Sequence, residues 1–69
     1  MREEIIKLIS EILEITEEQL VANLDSKEVW DSLKRVEIFF AIEDEFSISF
    51  SENMMAKLDT PEKLLNEIR

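Results

Sequence analysis

Eight hydroxyl side chains are the candidate nucleophiles of this 69-residue sequence, which contains neither cysteine nor histidine. Histidine is the commonest general base and metal ligand. Because the sequence has none, no histidine can activate any of these hydroxyls. The lack of cysteine excludes disulfides and thiolate metal sites, and the lack of glycine excludes a phosphate-binding P-loop. We therefore predict no catalytic residue, no metal site and no enzymatic activity. The hydroxyls belong to Ser10, Thr16, Ser26, Ser32, Ser47, Ser49, Ser51 and Thr60.

Ser32 differs from the other hydroxyls because it follows Asp31 at the start of the most apolar helix that the sequence predicts. Asp is among the best helix N-cap residues. The first backbone N–H groups of a helix lack partners and lie at the positive end of its dipole. An anion attached to Ser32 would therefore be stabilised, although Asp-Ser before a helix is also ordinary capping. Ser26 follows an Asp as well, but no strong helix begins there.

Two pairs of adjacent acids, Asp44 with Glu45 and Glu17 with Glu18, could mimic a catalytic carboxylate pair. Neighbouring residues on a helix do not face each other, so we interpret both pairs as solvated surface. The sequence has no calcium-binding loop spacing.

The charge of the chain is strongly negative, with 17 acidic and 8 basic residues and a formal net charge of −9 at pH 7. Such a surface repels nucleic acids and anionic membranes and favours basic protein partners. No apolar run is long enough to span a bilayer, and the start of the sequence lacks the apolar core of a signal peptide. We predict a cytoplasmic monomer that forms one domain over residues 1–69.

Apolar periodicity and capping residues predict an all-α fold. Isoleucines and leucines recur at spacings of three and four in the first segment. Thr16 followed by Gln19 fits a capping box, and Thr60-Pro61 is a strong helix start. The predicted elements are a helix over residues 2–15, one turn after Thr16, a loop over 22–30, a helix from Asp31 to Phe46, a connector over 47–50, a short helix over 51–58 and a last helix from Thr60.

These elements predict a small four-helix bundle, with three main helices, one short helix and a long loop after the first helix. Trp30, Ile48 and Phe50 are expected to point into its core. The main helix from Asp31 carries a broad apolar face that we expect to be buried on more than one side. That face consists of Leu33, Val36, Phe39, Phe40, Ile42 and Phe46.

The order of these motifs resembles the acyl carrier protein family over essentially the whole chain. The resemblance begins with Asp31-Ser32-Leu33 and continues through Val36-Glu37-Ile38 to the acidic stretch 41–46, which ends in Phe46. The connector, the short helix and the Thr60-Pro61 helix also lie where the family has their counterparts. In that family the serine of the motif, here Ser32, receives 4′-phosphopantetheine, whose thiol carries an acyl group as a thioester.

The resemblance implies roles for the neighbours of Ser32 and for the partners of the protein. Asp31 would cap the helix beside the site where a phosphopantetheinyl transferase acts, and Leu33 would anchor the helix start and contact the partner. Other expected partners are acyl-transferring or acyl-modifying enzymes with basic docking surfaces. The expected docking residues are Lys34, Arg35, Glu37, Glu43, Asp44, Glu45 and Glu52. The expected acyl-pocket residues are Phe39, Phe40, Ile42, Met54, Met55 and Leu58.

Two departures from the family pattern bear on the pathway. Val29 stands two places before Asp31, where the family usually has glycine, and Trp30 lies between them. Lys34 and Arg35 follow the motif, where carriers of fatty acid synthesis tend to be acidic or neutral. A fatty-acid pathway and a specialised acyl or secondary-metabolite pathway therefore both stay open, as does an aminoacyl or peptidyl carrier. An unmodified acidic interaction module is the alternative from another functional class.

Overall fold

The computed structural model describes residues 2–68 and is helical throughout its regular parts, which confirms the predicted all-α class. No β-strand occurs between these residues. Three longer helices are joined by shorter ones, and the extra turn predicted after Thr16 is a helix in its own right. The elements are α1 (Arg2–Leu13), α2 (Glu17–Val21), a 3₁₀ turn (Lys27–Val29), α3 (Ser32–Phe46), α4 (Glu52–Lys57) and α5 (Pro61–Ile68).

Helix α1 ends at Leu13 rather than at the predicted Ile15, because the chain turns into the left-handed region. Glu14 has φ 58°. Its N–H donates to the carbonyl of Glu11 at 3.2 Å, and the N–H of Ile15 donates to the carbonyl of Ser10 at 3.0 Å. This pair of bonds is a Schellman C-cap, a position that usually takes glycine. Because no glycine marks the end of the helix, the apolar pattern predicted a helix that is two residues too long.

Capping side chains begin the helices that follow. The Thr16 hydroxyl accepts from the N–H of Gln19, and the Gln19 side chain accepts from the N–H of Thr16, both at 3.0 Å. Ser51 caps α4 through the N–H of Met54 at 3.1 Å, and Thr60 caps α5 through the N–H of Lys63 at 3.2 Å. These bonds confirm the predicted helix starts.

The core lies between α1 and α3 and is closed by residues from α2, the loop, the segments on both sides of α4, and α5. Helix α3 buries Ile38, Phe39 and Ile42, which lie on one side of the helix. The expected inward positions of Trp30 and Phe50 are confirmed. The broader face predicted for α3 is wrong, since Leu33 is 78% exposed and Phe40 is 57% exposed. The buried set is Ile5, Ile9, Leu20, Trp30, Ile38, Phe39, Ile42, Phe50, Leu58, Leu64 and Leu65.

Ser47 ends α3 in a strained conformation and provides a test of local stability. Its φ of 55° and ψ of 42° are left-handed, which costs a residue with a Cβ about 1–2 kcal/mol. Replacement by glycine removes this cost but adds unfolded-state entropy. We expect Ser47→Gly to raise the free energy of unfolding by about 0.5–1 kcal/mol. For a domain of this size the thermal midpoint should rise by about 2–8 °C.

Ser49→Gly is the matched control, because Ser49 is exposed and has no positive φ. It should lower the thermal midpoint slightly, since only the entropic cost of glycine applies there. Equal effects of the two substitutions, measured by circular dichroism melts, would show that Ser47 is not strained.

Candidate functional site

Ser32 is the first residue of α3, and its side chain is exposed to solvent. Asp31 before it is the N-cap, with an extended backbone of φ −91° and ψ 176°. Its Oδ1 accepts from the N–H of Lys34 at 2.8 Å, and its carbonyl accepts from the N–H of Arg35 at 2.9 Å. The cap thus fixes the backbone on both sides of Ser32 without using the serine hydroxyl.

The start of α3 suits an anion held on the Ser32 oxygen. The Asp31 cap uses the N–H of Lys34, which leaves the N–H groups of Ser32 and Leu33 in the first turn without a helical partner. They lie at the positive end of the dipole of a 15-residue helix. No hydrogen bond to the Ser32 hydroxyl forms anywhere in the chain from residue 2 to residue 68. The hydroxyl is therefore free to be modified.

The loop before Ser32 is tied to the junction between α4 and α5. The indole N–H of Trp30 donates to the carbonyl of Asp59 at 3.0 Å. The Asp59 carboxylate lies 3.2 Å from the ammonium of Lys27 and 2.9 Å from that of Lys63. We call Lys27, Trp30 and Asp59 the Asp59 anchor. A backbone bond from the N–H of Glu62 to the carbonyl of Leu24, at 2.8 Å, adds to it.

The Asp59 carboxylate is held in its charged form. Hydrogen bonds from Lys63 and then Lys27 lower the pKa of Asp59 below its ordinary value. A lowered folded-state pKa means that the carboxylate stabilises the fold at neutral pH. That contribution is lost as the pH falls through the lowered pKa.

The outer side of α3 carries an exposed apolar strip that the sequence interpretation assigned to the core. Leu33, Val36 and Phe40 lie three and four residues apart, on the side of the helix away from Ile38 and Ile42. At 3.6 residues per turn, positions seven apart nearly coincide on the helix surface. That rule places Phe40 on the same side of α3 as Leu33, two turns further along. This spacing was the signal in the sequence that the two residues belong to one surface. We call Leu33, Val36 and Phe40 the apolar strip.

The predicted docking acids fall into two groups. Glu37, Asp44, Glu45 and Glu52 are exposed. Glu43 is instead half-buried, and its Oε2 accepts from the N–H of Phe50 at 2.8 Å, so it fixes the connector after α3.

The two predicted docking cations differ in their surroundings. Lys34 Nζ lies 3.6 Å from Glu37 Oε2 on the surface. Arg35 is half-buried and forms no ion pair within residues 2–68.

Comparison with known proteins agrees with this geometry. The family model described as "Phosphopantetheine attachment site" matches residues 3–68. The chain belongs to this family. It is also 42% identical over 65 residues to the acyl carrier protein of Buchnera aphidicola subsp. Schizaphis graminum (strain Sg), a match that covers 90% of this chain and 81% of that protein. No solved structure gives a significant match.

Membership of the family makes the chain a carrier rather than an enzyme, with 4′-phosphopantetheine as its covalent cofactor. That group, when bound, supplies the thiol that holds cargo as a thioester. The residues present fit it, because an exposed hydroxyl begins a long helix whose first N–H groups have no helical partner. Within the described residues no cluster of three or more acids could hold a metal ion. None of the helices there is long and apolar enough to cross a bilayer.

The residues predicted to form an acyl pocket do not all lie together in this carrier. Phe39, Ile42 and Leu58 are buried in the core, and half-buried Met54 and Met55 pack against that core. Phe40 points away from them into solvent, so its assignment to the interior is wrong. An open groove of about 440 Å³ lies between α1 and the far end of α3, and it is lined by none of these six residues. It is lined by Glu4, Lys7, Leu8, Glu11, Glu45 and Phe46.

Proposed function

We propose that Ser32 is the attachment site of 4′-phosphopantetheine and that the chain carries acyl intermediates on this arm. The supporting observation is that the Ser32 hydroxyl is exposed at the first position of α3, next to the Asp31 cap, and forms no hydrogen bond within residues 2–68. A fatty-acid or a specialised acyl pathway would use such a carrier. We further propose that the protein is a monomer in the cytoplasm, where coenzyme A and acyl-transferring enzymes meet it.

Loading requires the Ser32 hydroxyl to act as a nucleophile toward coenzyme A. A bond forms between Ser32 Oγ and phosphorus, the pyrophosphate linkage of coenzyme A breaks, and adenosine 3′,5′-bisphosphate leaves. The hydroxyl proton passes to a base of the phosphopantetheinyl transferase, since this chain has no histidine to accept it. The part of this chain is to present the hydroxyl, and the unpaired N–H groups of the first turn favour the phosphodiester that forms.

The proposed docking surface for the transferase and the acyl-handling enzymes is the apolar strip with the exposed acids beside it. Asp44 and Glu45 lie in the last turn of α3, where the negative end of the dipole makes acids unfavourable by about 0.3–1 kcal/mol each. Stability therefore does not account for them, whereas a basic partner surface would. A matching partner has an apolar pocket for the strip and a basic rim.

Opposite the start of α3, the charge of the partner surface should change from basic to acidic. Lys34 and Arg35 follow Ser32 by two and three residues, and the partner's basic rim would meet like charge there. An acidic residue in the partner facing Arg35, which has no ion pair within residues 2–68, would complete the match. Such an acid would favour a cognate partner over the enzymes of general fatty acid synthesis.

Phe40→Ala tests the docking surface. Phe40 is 57% exposed, so the fold should hardly change, but the transferase should lose an aromatic contact. Truncation of a central aromatic at an interface commonly costs more than 1 kcal/mol. We expect kcat/KM for loading to fall about tenfold. The matched control is Val21→Ala, which is 52% exposed on α2 and should leave the rate unchanged. Equal rates for both variants would contradict the docking surface.

Intact mass tests the attachment itself. The purified apo-protein is incubated with coenzyme A, magnesium and a broad-specificity phosphopantetheinyl transferase. We expect the mass to rise by one phosphopantetheine. A protein that stays unmodified under conditions that load a known carrier would favour an acidic interaction module instead.

A further inference from the structure

The Asp59 anchor joins the segment that ends at Ser32 to a part of the chain about thirty residues away. Trp30 is separated from Ser32 only by Asp31. Its indole N–H donates to the carbonyl of Asp59, and its ring lies 6.5 Å from that of Phe39 at 42°. Trp30 is only 4% exposed. These contacts fix the residue that leads directly into the helix cap.

The Asp59 side chain holds the same loop from a second direction. Its carboxylate, 24% exposed, pairs at 3.2 Å with Lys27, which belongs to the 3₁₀ turn of the loop. Lys63 on α5 pairs with the other carboxylate oxygen at 2.9 Å and keeps the side chain oriented. Asp59 therefore contacts the loop twice, through its carbonyl at Trp30 and through its carboxylate at Lys27.

We propose that Asp59 is a positioning residue for the loading of Ser32. The idea rests on the proposed function of Ser32 and goes beyond it, because Asp59 never touches the reacting atoms. The loop has no glycine that could turn it sharply into α3, so long-range contacts must set its approach. With the anchor broken, the loop samples more conformations and the transferase finds the correct Ser32 geometry less often. A smaller competent fraction raises the apparent dissociation constant in proportion.

The test measures loading kinetics of the full-length apo-protein with coenzyme A and a broad-specificity transferase. Three variants break the anchor: Asp59→Asn, Lys27→Met and Trp30→Phe. Each should raise KM for the carrier by at least twofold and at most about fivefold. The upper limit holds because the loss of one partly exposed contact changes the ratio of ordered to disordered loop by about fivefold at most. The kcat should stay within twofold of wild type, since the chemistry at Ser32 is unchanged once it is bound. Lys27→Arg should restore the wild-type KM.

Matched controls separate positioning from charge and from direct contact. Lys57→Met makes the same charge change as Lys27→Met close to the α4–α5 junction, but Lys57 forms no ion pair within residues 2–68. Asp25→Asn is the equivalent control for Asp59→Asn. Both controls should keep the wild-type KM. Because Trp30 is buried, an effect of Trp30→Phe on KM cannot come from lost contact with the transferase.

The fluorescence of Trp30 gives a second readout, since it is the sole tryptophan. Acrylamide should quench it more strongly in Asp59→Asn and Lys27→Met than in the wild type or the two controls. Lys27 is 71% exposed, so its substitution leaves the protein folded and the test decisive. A KM within twofold of wild type for both Lys27→Met and Trp30→Phe would overturn the positioning role. A wild type that is not loaded at all would instead refute the proposed function.

Discussion

Ser32→Ala is expected to abolish phosphopantetheine loading completely. Within residues 2–68, the substitution removes the only exposed hydroxyl that begins a long helix. The fold should persist, because the Asp31 side chain supplies the cap and the Ser32 hydroxyl forms no hydrogen bond within residues 2–68. A surface substitution of this kind changes stability by about 0.5 kcal/mol or less. Intact mass after incubation with coenzyme A and transferase measures the loss.

Ser26→Ala is the informative control for this experiment. Ser26 also follows an aspartate, but its hydroxyl accepts from the N–H of Glu28 at 3.1 Å and caps only a three-residue 3₁₀ turn. Its removal should cost about 0.5–2 kcal/mol of stability and leave loading intact. Loading that persists in Ser32→Ala and disappears in Ser26→Ala would transfer the attachment site to Ser26.

The parts of the fold that the sequence predicted well are those that depend on neighbours within one turn. The caps at Thr16, Asp31, Ser51 and Thr60 each bind a backbone N–H three residues ahead. Such a bond needs only the right side chain at the right offset. The start of α3, and with it the position of Ser32, follows from the same local rule.

The sequence-based predictions for α3 were wrong at positions whose burial or hydrogen bonding is decided by tertiary packing. The sequence of α3 has apolar residues almost all round, and only the placement of α1 and the loop determines that Phe39 is buried and Phe40 exposed. Glu43 resembles its acidic neighbours in sequence. Its bond to the N–H of Phe50 exists because Ser47 turns the chain back through a left-handed conformation.

The Asp59 anchor was beyond prediction for a similar reason. Its hydrogen bond from Trp30 spans 29 residues, and no local pattern marks either partner. A lone aspartate before Thr60-Pro61 is typical of a helix start. Only the fold brings the loop and the α4–α5 junction together.

Phe39→Ala is expected to have the largest effect on stability of any alanine substitution in α3. Phe39 is fully buried, and its ring packs edge-on against Phe50 at a centroid distance of 5.1 Å and an angle of 63°. Truncation of a buried phenylalanine costs about 3–5 kcal/mol, from lost burial and the cavity left behind. A domain of this length has a total stability of roughly 3–10 kcal/mol. The variant should therefore lose about a third or more of its stability, and urea titrations at 15 °C would measure this loss.

Phe40→Ala provides the control, because it removes the same side chain one residue further along the same helix. With 57% of Phe40 exposed, it should lose less than about 1 kcal/mol, since little apolar surface returns to water and no cavity forms. The two variants should then separate stability from partner binding, with Phe39→Ala unfolding early and Phe40→Ala loading slowly while folded. Equal losses of stability would mean that both rings are buried and that the apolar strip is part of the core. In that case α3 would have only its charged residues left to recognise a partner.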